Sequence, residues 1–170
     1  ANPEKIPHLK PAFREGGTVT AANSSSISDG AAALSLASKA AVTAHDLDVQ
    51  AQICGHAGFA HAPGWFTTAP IFAARKLLKK LGWQASDVDV WEVNEAFAVV
   101  AMAFIRELEI DPEHVNIHGG ACALGHPIGA SGARILVSLL NALKQSGGSK
   151  GLAAICLGGG EGIAVAVEAA

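Results

Sequence analysis

The amino-acid sequence predicts an α/β fold in which a mixed, mainly parallel sheet lies between layers of helices. Apolar runs with strand character alternate along the chain with amphipathic helical runs, which is the order of βαβ units. At the end of the chain, Gly151–Cys156 and Ile163–Val167 meet through a short glycine-rich turn and should pair antiparallel. The composition, 50% apolar and 16% charged, suits a domain with a sizeable core.

Residues 1–68 are predicted to hold two strands, one helix and two irregular segments. Ala1–Gly17 is polar and interrupted by prolines, so it should be irregular. A helix of alanine and leucine should begin at Ser28 or Asp29, either of which can cap it, and end near Thr43. The strands are expected at Thr18–Ala22 and Leu47–Cys54, and a loop at Gly55–Thr68.

From residue 70 onward the alternation is clearest. Pro70–Leu81 is predicted to be a helix with a basic outer face, and Ala130–Gln145 to be a second amphipathic helix. A strand at Val88–Val93 should lead into an apolar helix at Asn94–Leu108. A short strand at Val115–Ile117 should lead into a glycine-rich loop.

Charge and cysteine usage exclude several classes of function. A net charge of -3 gives no electrostatic basis for binding nucleic acid. No apolar run reaches the roughly 18 residues that a membrane span needs. Cys54, Cys122 and Cys156 are too few and too scattered for a disulfide framework, so a reducing, cytoplasmic compartment is expected. No cysteine or histidine spacing predicts a metal site.

Three polar side chains are expected at one edge of the sheet. Asn94, His126 and Cys156 each follow an apolar strand and lie among small residues. Because the carboxyl ends of parallel strands share an edge, where ligands usually bind, these side chains could converge.

Each of these residues also has a purely structural interpretation. His126 could be a histidine on a structural turn, although the many glycines of Gly119–Arg134 favour close approach by another group. Cys156 could be a buried cysteine at a hairpin, although Gly158–Gly160 would suit backbone N–H groups that face a ligand. Cys54 neighbours His56, yet a structural role inside a strand is favoured.

Four segments resemble the thiolase family in the order in which that family carries them. Gly119–Arg134 resembles a long thiolase signature, and Asn94–Ala98 resembles a second motif. Cys156–Gly162 resembles a third, and Thr18–Gly30 resembles the segment beside the coenzyme. The resemblance covers essentially the whole chain and implies a thiolase-like fold. It also implies an acyl-CoA C-acyltransferase that condenses or cleaves short-chain 3-ketoacyl-CoA.

The resemblance implies a role for each site residue. His126 would activate a nucleophilic cysteine and hold the thioester oxygen, while Asn94 would position a water for the same oxyanion. Cys156 would be the acid and base at the α carbon, and the N–H of Gly158 would serve a second oxyanion hole. Substrate contacts would come from Ser25, Ala96 and Phe97, with Phe66 shaping substrate choice. Coenzyme A enters as part of the substrate, acetyl-CoA or acetoacetyl-CoA, and no other cofactor is expected.

The resemblance also implies how the chain divides. Residues 1–46 would be the tail of a loop domain and the last helix of an amino-terminal thiolase half, and residues 47–170 the carboxy-terminal domain. The family's nucleophilic cysteine belongs to the amino-terminal half, so this chain alone should be inactive. That half is an expected partner, and a homo-oligomer is expected as well. Two alternatives stay open: a non-catalytic thiolase-like partner subunit, and a ketosynthase-type condensing enzyme.

Overall fold

The computed structural model describes residues 2–170 and shows a four-stranded sheet with helices on both faces. The strands are β1 (Ala51–Ala60), β2 (Val90–Val93), β3 (Lys150–Leu157) and β4 (Glu161–Ala169). The helices are α1 (Lys39–His45), α2 (Ala69–Leu81), α3 (Ala98–Leu108), α4 (Ala121–Leu124) and α5 (Ser131–Ser146). None of the helices within residues 2–170 has the length and apolar character that crossing a membrane requires.

The sheet is mixed, as predicted, with the strand order β1-β4-β3-β2. Strands β3 and β4 form the predicted antiparallel hairpin, and β4 also pairs antiparallel with β1. Only β2 and β3 pair in parallel, so parallel pairs do not predominate as expected. The reason is that β1 reaches the sheet beside β4 instead of joining a βαβ series.

Side chains on the two faces of the sheet form two cores. On one face Trp91 and Leu152 pack with α2 and α3, where Leu77 and Phe104 are also fully buried. On the other face Val90 and Ala153 pack against α5. Because successive residues of a strand point to opposite faces, β2 is buried on both sides, and its carboxyl end is fixed between the two helical layers.

Two predictions in the first part of the chain are wrong. Thr18–Ala22 is not a strand, because a side-chain cap between Thr20 and Asn23 closes a short 3-10 turn there. The helix predicted from Ser28 or Asp29 to Thr43 is limited to Lys39–His45, where the Ser38 hydroxyl caps it. Residues 28–38 carry no helix or strand. Gly30 lies directly against the Pro127 ring, so this stretch runs along the loop around His126.

Other helix and strand boundaries differ from the predicted ones because of local backbone geometry. Strand β1 continues through Gly55–Ala60, which was predicted as loop, past a bulge between Ile53 and Gly55. Residues 115–117 form a single bridge to Trp91, because Asn116 has a positive φ of 51° that ends strand pairing. Helix α3 begins at Ala98 and not at Asn94, because the Asn94 N–H donates to the carbonyl of Ala154 and prolongs the β2–β3 ladder. The helices predicted at 70–81 and 130–145 are confirmed within one residue.

Candidate active site

The ends of β2 and β3 bring Asn94 and Cys156 to one edge of the sheet. Val93 is level with Ala154 in the parallel register, and the Asn94 N–H donates to the Ala154 carbonyl over 2.9 Å. Asn94 is fully buried. Cys156 follows Ala154 by two residues along β3, and its side chain is 8% exposed. Because β2 and β3 are parallel, the two residues lie at the same, carboxyl-terminal edge of the sheet.

His126 reaches the same edge from a loop that is held by the first part of the chain. Its N–H donates to the Ser26 carbonyl over 2.9 Å, and it forms a parallel bridge with Ile27. Gly125, at a positive φ of 93°, lies against the Ser28 hydroxyl, and a side chain there would collide with it. Residues 26–28, at the point where the helix was predicted to begin, therefore hold the His126 loop in place.

A chain of hydrogen bonds fixes the His126 ring. The ring Nδ1 lies 2.6 Å from the Ser131 hydroxyl, and that hydroxyl donates to the Pro127 carbonyl over 3.0 Å. Since the Ser131 proton is used on Pro127, Nδ1 must carry the proton and donate to Ser131. Nε2 is then an acceptor, and Asn94 Nδ2 donates to it over 3.3 Å. The unprotonated nitrogen thus faces the site, ready to accept a proton.

Burial controls the charge states of His126 and Cys156. It lowers the pKa of His126, and the nearby positive charge of Arg134 lowers it further, so the imidazole is neutral at pH 7. Burial raises the pKa of the Cys156 thiol, opposed by a backbone hydrogen bond. The His126 imidazole is therefore an uncharged acceptor, and the Cys156 thiol is protonated.

A cavity of about 440 Å³ opens onto His126. Four of the predicted site residues line it: Ser25, Ala96, Phe97 and His126. The Ser25 hydroxyl and N–H both donate to the Ala96 carbonyl, over 3.0 and 3.1 Å, which fixes one wall. The ring of Phe13 meets that of Phe97 edge-on at 5.5 Å and extends the apolar lining. The cavity is largely apolar, and the imidazole is part of its wall.

Four predicted site residues are not among those that line this cavity: Asn94 and Cys156 at the strand edge, and Gly158 and Phe66 elsewhere. Gly158 is in the exposed turn between β3 and β4, with open space where a side chain would be, so its backbone is accessible. Phe66 lies half-buried in a 3-10 segment, Pro63–Thr68, ahead of α2. Cys54 sits at the β1 bulge with its thiol 3.7 Å from the Gln52 carbonyl.

The site depends on two residues that the sequence patterns did not single out. Ser131 holds the His126 ring, and Glu95 binds the loop that carries His126. The only signal for Ser131 was its place five residues after the histidine, at the start of α5.

Family models and known relatives match most of this chain. The family model described as "Thiolase, C-terminal domain" matches residues 47–169, and "Thiolase, N-terminal domain" matches residues 1–40. The chain belongs to the thiolase family. It is 53% identical over 165 residues to acetyl-CoA acetyltransferase 1 of Arabidopsis thaliana, covering 96% of this chain and 40% of that protein. Mitochondrial and cytosolic acetyl-CoA acetyltransferases of Rattus norvegicus are 52% and 48% identical, covering 96% and 99% of this chain and 38% and 43% of those proteins.

Solved thiolase structures match the fold closely. The acetyl-CoA acetyltransferase of Bacillus anthracis superposes with a TM-score of 0.95 at 45% identity, over 98% of this chain and 42% of that one. The Acat5 thiolase of Ascaris suum in complex with coenzyme A superposes with a TM-score of 0.92 at 44% identity, over 100% of this chain and 44% of that one. The chain thus spans about 40% of the length of the relatives it matches.

Proposed function

We propose that this chain forms part of an acyl-CoA C-acyltransferase that makes or cleaves short-chain 3-ketoacyl-CoA, with acetyl-CoA and acetoacetyl-CoA as substrates. The observation that carries the proposal is the hydrogen-bonded Asn94–His126 pair at the carboxyl end of β2, the strand that pairs in parallel with β3, where Cys156 lies. The relatives named acetyl-CoA acetyltransferase, and the relative crystallised with coenzyme A, support this substrate class.

His126 has two tasks in this proposal. Its Nε2 lone pair, to which Asn94 donates in the resting chain, accepts the proton of a nucleophilic cysteine thiol in place of that hydrogen bond, and the thiolate attacks the keto carbon of the substrate. The protonated Nε2 then faces a thioester oxygen, where Asn94 places a water as a second donor. Each such donor contributes a few kcal/mol in the transition state.

Cys156 carries the proton at the α carbon. In the cleavage direction the C2–C3 bond breaks, the acyl group stays on the nucleophile, and the acetyl-CoA enolate takes the Cys156 proton. The Cys156 thiolate then takes the proton of an incoming coenzyme A thiol, whose sulfur removes the acyl group. The raised pKa of Cys156 favours the protonated form that this direction needs first. The Gly158 N–H serves the second oxyanion.

The cavity suits the coenzyme A part of the substrate. Ser25, Ala96 and Phe97 would line the pantetheine arm on its way to His126, and Phe66 would shape the choice of acyl group. Coenzyme A enters as substrate, and the proposed chemistry uses no other cofactor. We propose a cytoplasmic homo-oligomer, with residues 1–46 belonging to the amino-terminal half and residues 47–170 forming the carboxy-terminal domain.

The nucleophilic cysteine is proposed to come from an amino-terminal thiolase half. The test joins the amino-terminal part of the Arabidopsis relative to this chain, in place of that relative's own matching part; this chimera is called the completed enzyme below. We expect thiolysis of acetoacetyl-CoA by the completed enzyme, loss of activity in His126→Ala and Cys156→Ala, and retention in the control Cys54→Ala. Activity that survives His126→Ala would contradict the assigned roles.

The same experiment separates the alternatives. A non-catalytic partner subunit would leave the completed enzyme inactive although folded. A ketosynthase would prefer acyl carrier protein thioesters over coenzyme A thioesters. We favour the thiolase because Cys156 lies at the end region of β3, at the place where a ketosynthase has a histidine or an asparagine.

A further inference from the structure

The Glu95 side chain connects the two loops that carry Asn94 and His126. Its Oε1 accepts from Asn116 Nδ2 over 3.0 Å, and its Oε2 accepts from the Cys122 N–H over 3.1 Å. Glu95 directly follows Asn94, and the carboxylate is half-buried. Each carboxylate oxygen therefore holds a different segment of the chain.

Asn116 ties Glu95 to the end of β2. Its side chain accepts from the Val93 N–H over 2.8 Å and donates to the Val93 carbonyl over 2.9 Å, as a neighbouring strand would. The remaining Nδ2 proton goes to Glu95. The residue just before Asn94 and the residue just after it are thus held by one side chain.

Cys122 ties Glu95 to the His126 loop. It lies in α4, and α4 leads directly to Gly125, whose N–H donates to the Ala121 carbonyl over 2.9 Å, and then to His126. Gly120, ahead of α4, faces the Glu95 carboxylate so closely that any side chain at 120 would overlap it. The glycine therefore makes room for the carboxylate.

We propose that Glu95 is a positioning residue for the reaction, and that its carboxylate sets the separation of Asn94 from the His126 ring. This inference rests on the proposed function. Both partners of the carboxylate are N–H donors, so only a group with two acceptor oxygens satisfies both. A glutamine at 95 would turn its own NH2 group toward one of them. The Asn94–His126 contact, at 3.3 Å, is already near the limit of a hydrogen bond and is sensitive to small shifts.

The test has one readout on the chain itself and one on the completed enzyme. In Glu95→Gln, nitrogen NMR of the His126 ring should show a changed Nε2 shift and a raised pKa, because the hydrogen bond to the neutral ring is weakened. In the completed enzyme, kcat for thiolysis should fall about 10- to 100-fold with KM changed less than about twofold. Glu113→Gln, at an exposed position, is the matched control and should change neither.

The results that would overturn the role of Glu95 differ from those that would overturn the proposed function. An unchanged His126 spectrum in folded Glu95→Gln and Glu95→Ala overturns the inference, whether or not the completed enzyme is active. An altered His126 spectrum with an unchanged kcat in an active enzyme also overturns the inference, because Glu95 would then hold the two loops without affecting the reaction. If the parent completed enzyme is inactive, the proposed function fails, while the spectrum still decides whether Glu95 positions the ring.

Discussion

Replacing Glu92 by glutamine should remove a large pH dependence of stability. Glu92 lies in β2, is 1% exposed, and both of its carboxyl oxygens lack a hydrogen-bond partner within residues 2–170. Burial raises its pKa to about 7, against the attraction of Arg134 and with added repulsion from Glu95. The folded chain therefore holds a proton on Glu92 that the unfolded chain releases near 4.5.

The sign and size of the effect follow from this difference. Because the folded pKa lies above the unfolded one, the stability that Glu92 contributes is fully present below pH 4.5 and is lost as the pH rises through 7. The interval between a pKa of 4.5 and one of about 7 corresponds to about 3 kcal/mol. Glu92→Gln has nearly the same shape and stays neutral, so it should be spared this loss.

The assay is urea unfolding, followed by circular dichroism, at pH values from 4 to 8.5. Relative to the parent chain, the free energy of unfolding of Glu92→Gln should rise by about 3 kcal/mol between the two ends of this range. Glu113→Gln, which is exposed, serves as the control and should follow the parent curve. Parallel curves for Glu92→Gln and the parent chain would refute the account of Glu92 as a buried, proton-holding carboxyl.

Three further substitutions probe the site and the core. Ser131→Ala removes the acceptor for His126 Nδ1–H, so kcat of the completed enzyme should fall about tenfold. Ser138→Ala is the control. An unchanged kcat in Ser131→Ala would contradict the tautomer assigned to the His126 ring. Gly120→Ala should cost about 1 to 3 kcal/mol in urea unfolding, because its methyl group overlaps the Glu95 carboxylate, and a neutral result would show that the loop can move aside. Leu139→Ala, at a fully buried position of α5, should cost about 2 to 5 kcal/mol, and a loss under 1 kcal/mol would mean that this core layer is loosely packed.

The elements that were predicted well are those whose pattern is local. Helices α2 and α5 carry an apolar stripe of helical period and end at glycines, Gly82 and Gly147, that adopt positive φ. The β3–β4 hairpin follows from two apolar runs around a glycine turn. Asn94 and His126 were expected to converge from strand direction, and the structure joins them by a hydrogen bond, although His126 arrives on a loop and not at the end of a strand.

The elements that were missed depend on distant partners. Residues 28–38 have the composition of a helix, yet Gly30 lies against Pro127, far along the chain, and Ile27 bridges to His126. The partner of Ser131 is identifiable only once the loop brings the imidazole back onto α5. The strand at Gly55–Ala60 looks like a glycine-rich loop until its pairing with β4 is known. Tertiary contacts override local preference in each case.

The central claim is that Cys156 moves the α proton while Asn94 and His126 hold the thioester oxygen. Proton magnetic resonance of acetyl-CoA in D2O tests it most directly, because exchange of the methyl protons requires the base and the oxyanion site but no carbon–carbon bond formation. The account predicts that the completed enzyme catalyses this exchange and that Cys156→Ala abolishes it, while Cys54→Ala leaves it intact. Exchange that persists at the parent rate in Cys156→Ala would contradict the account.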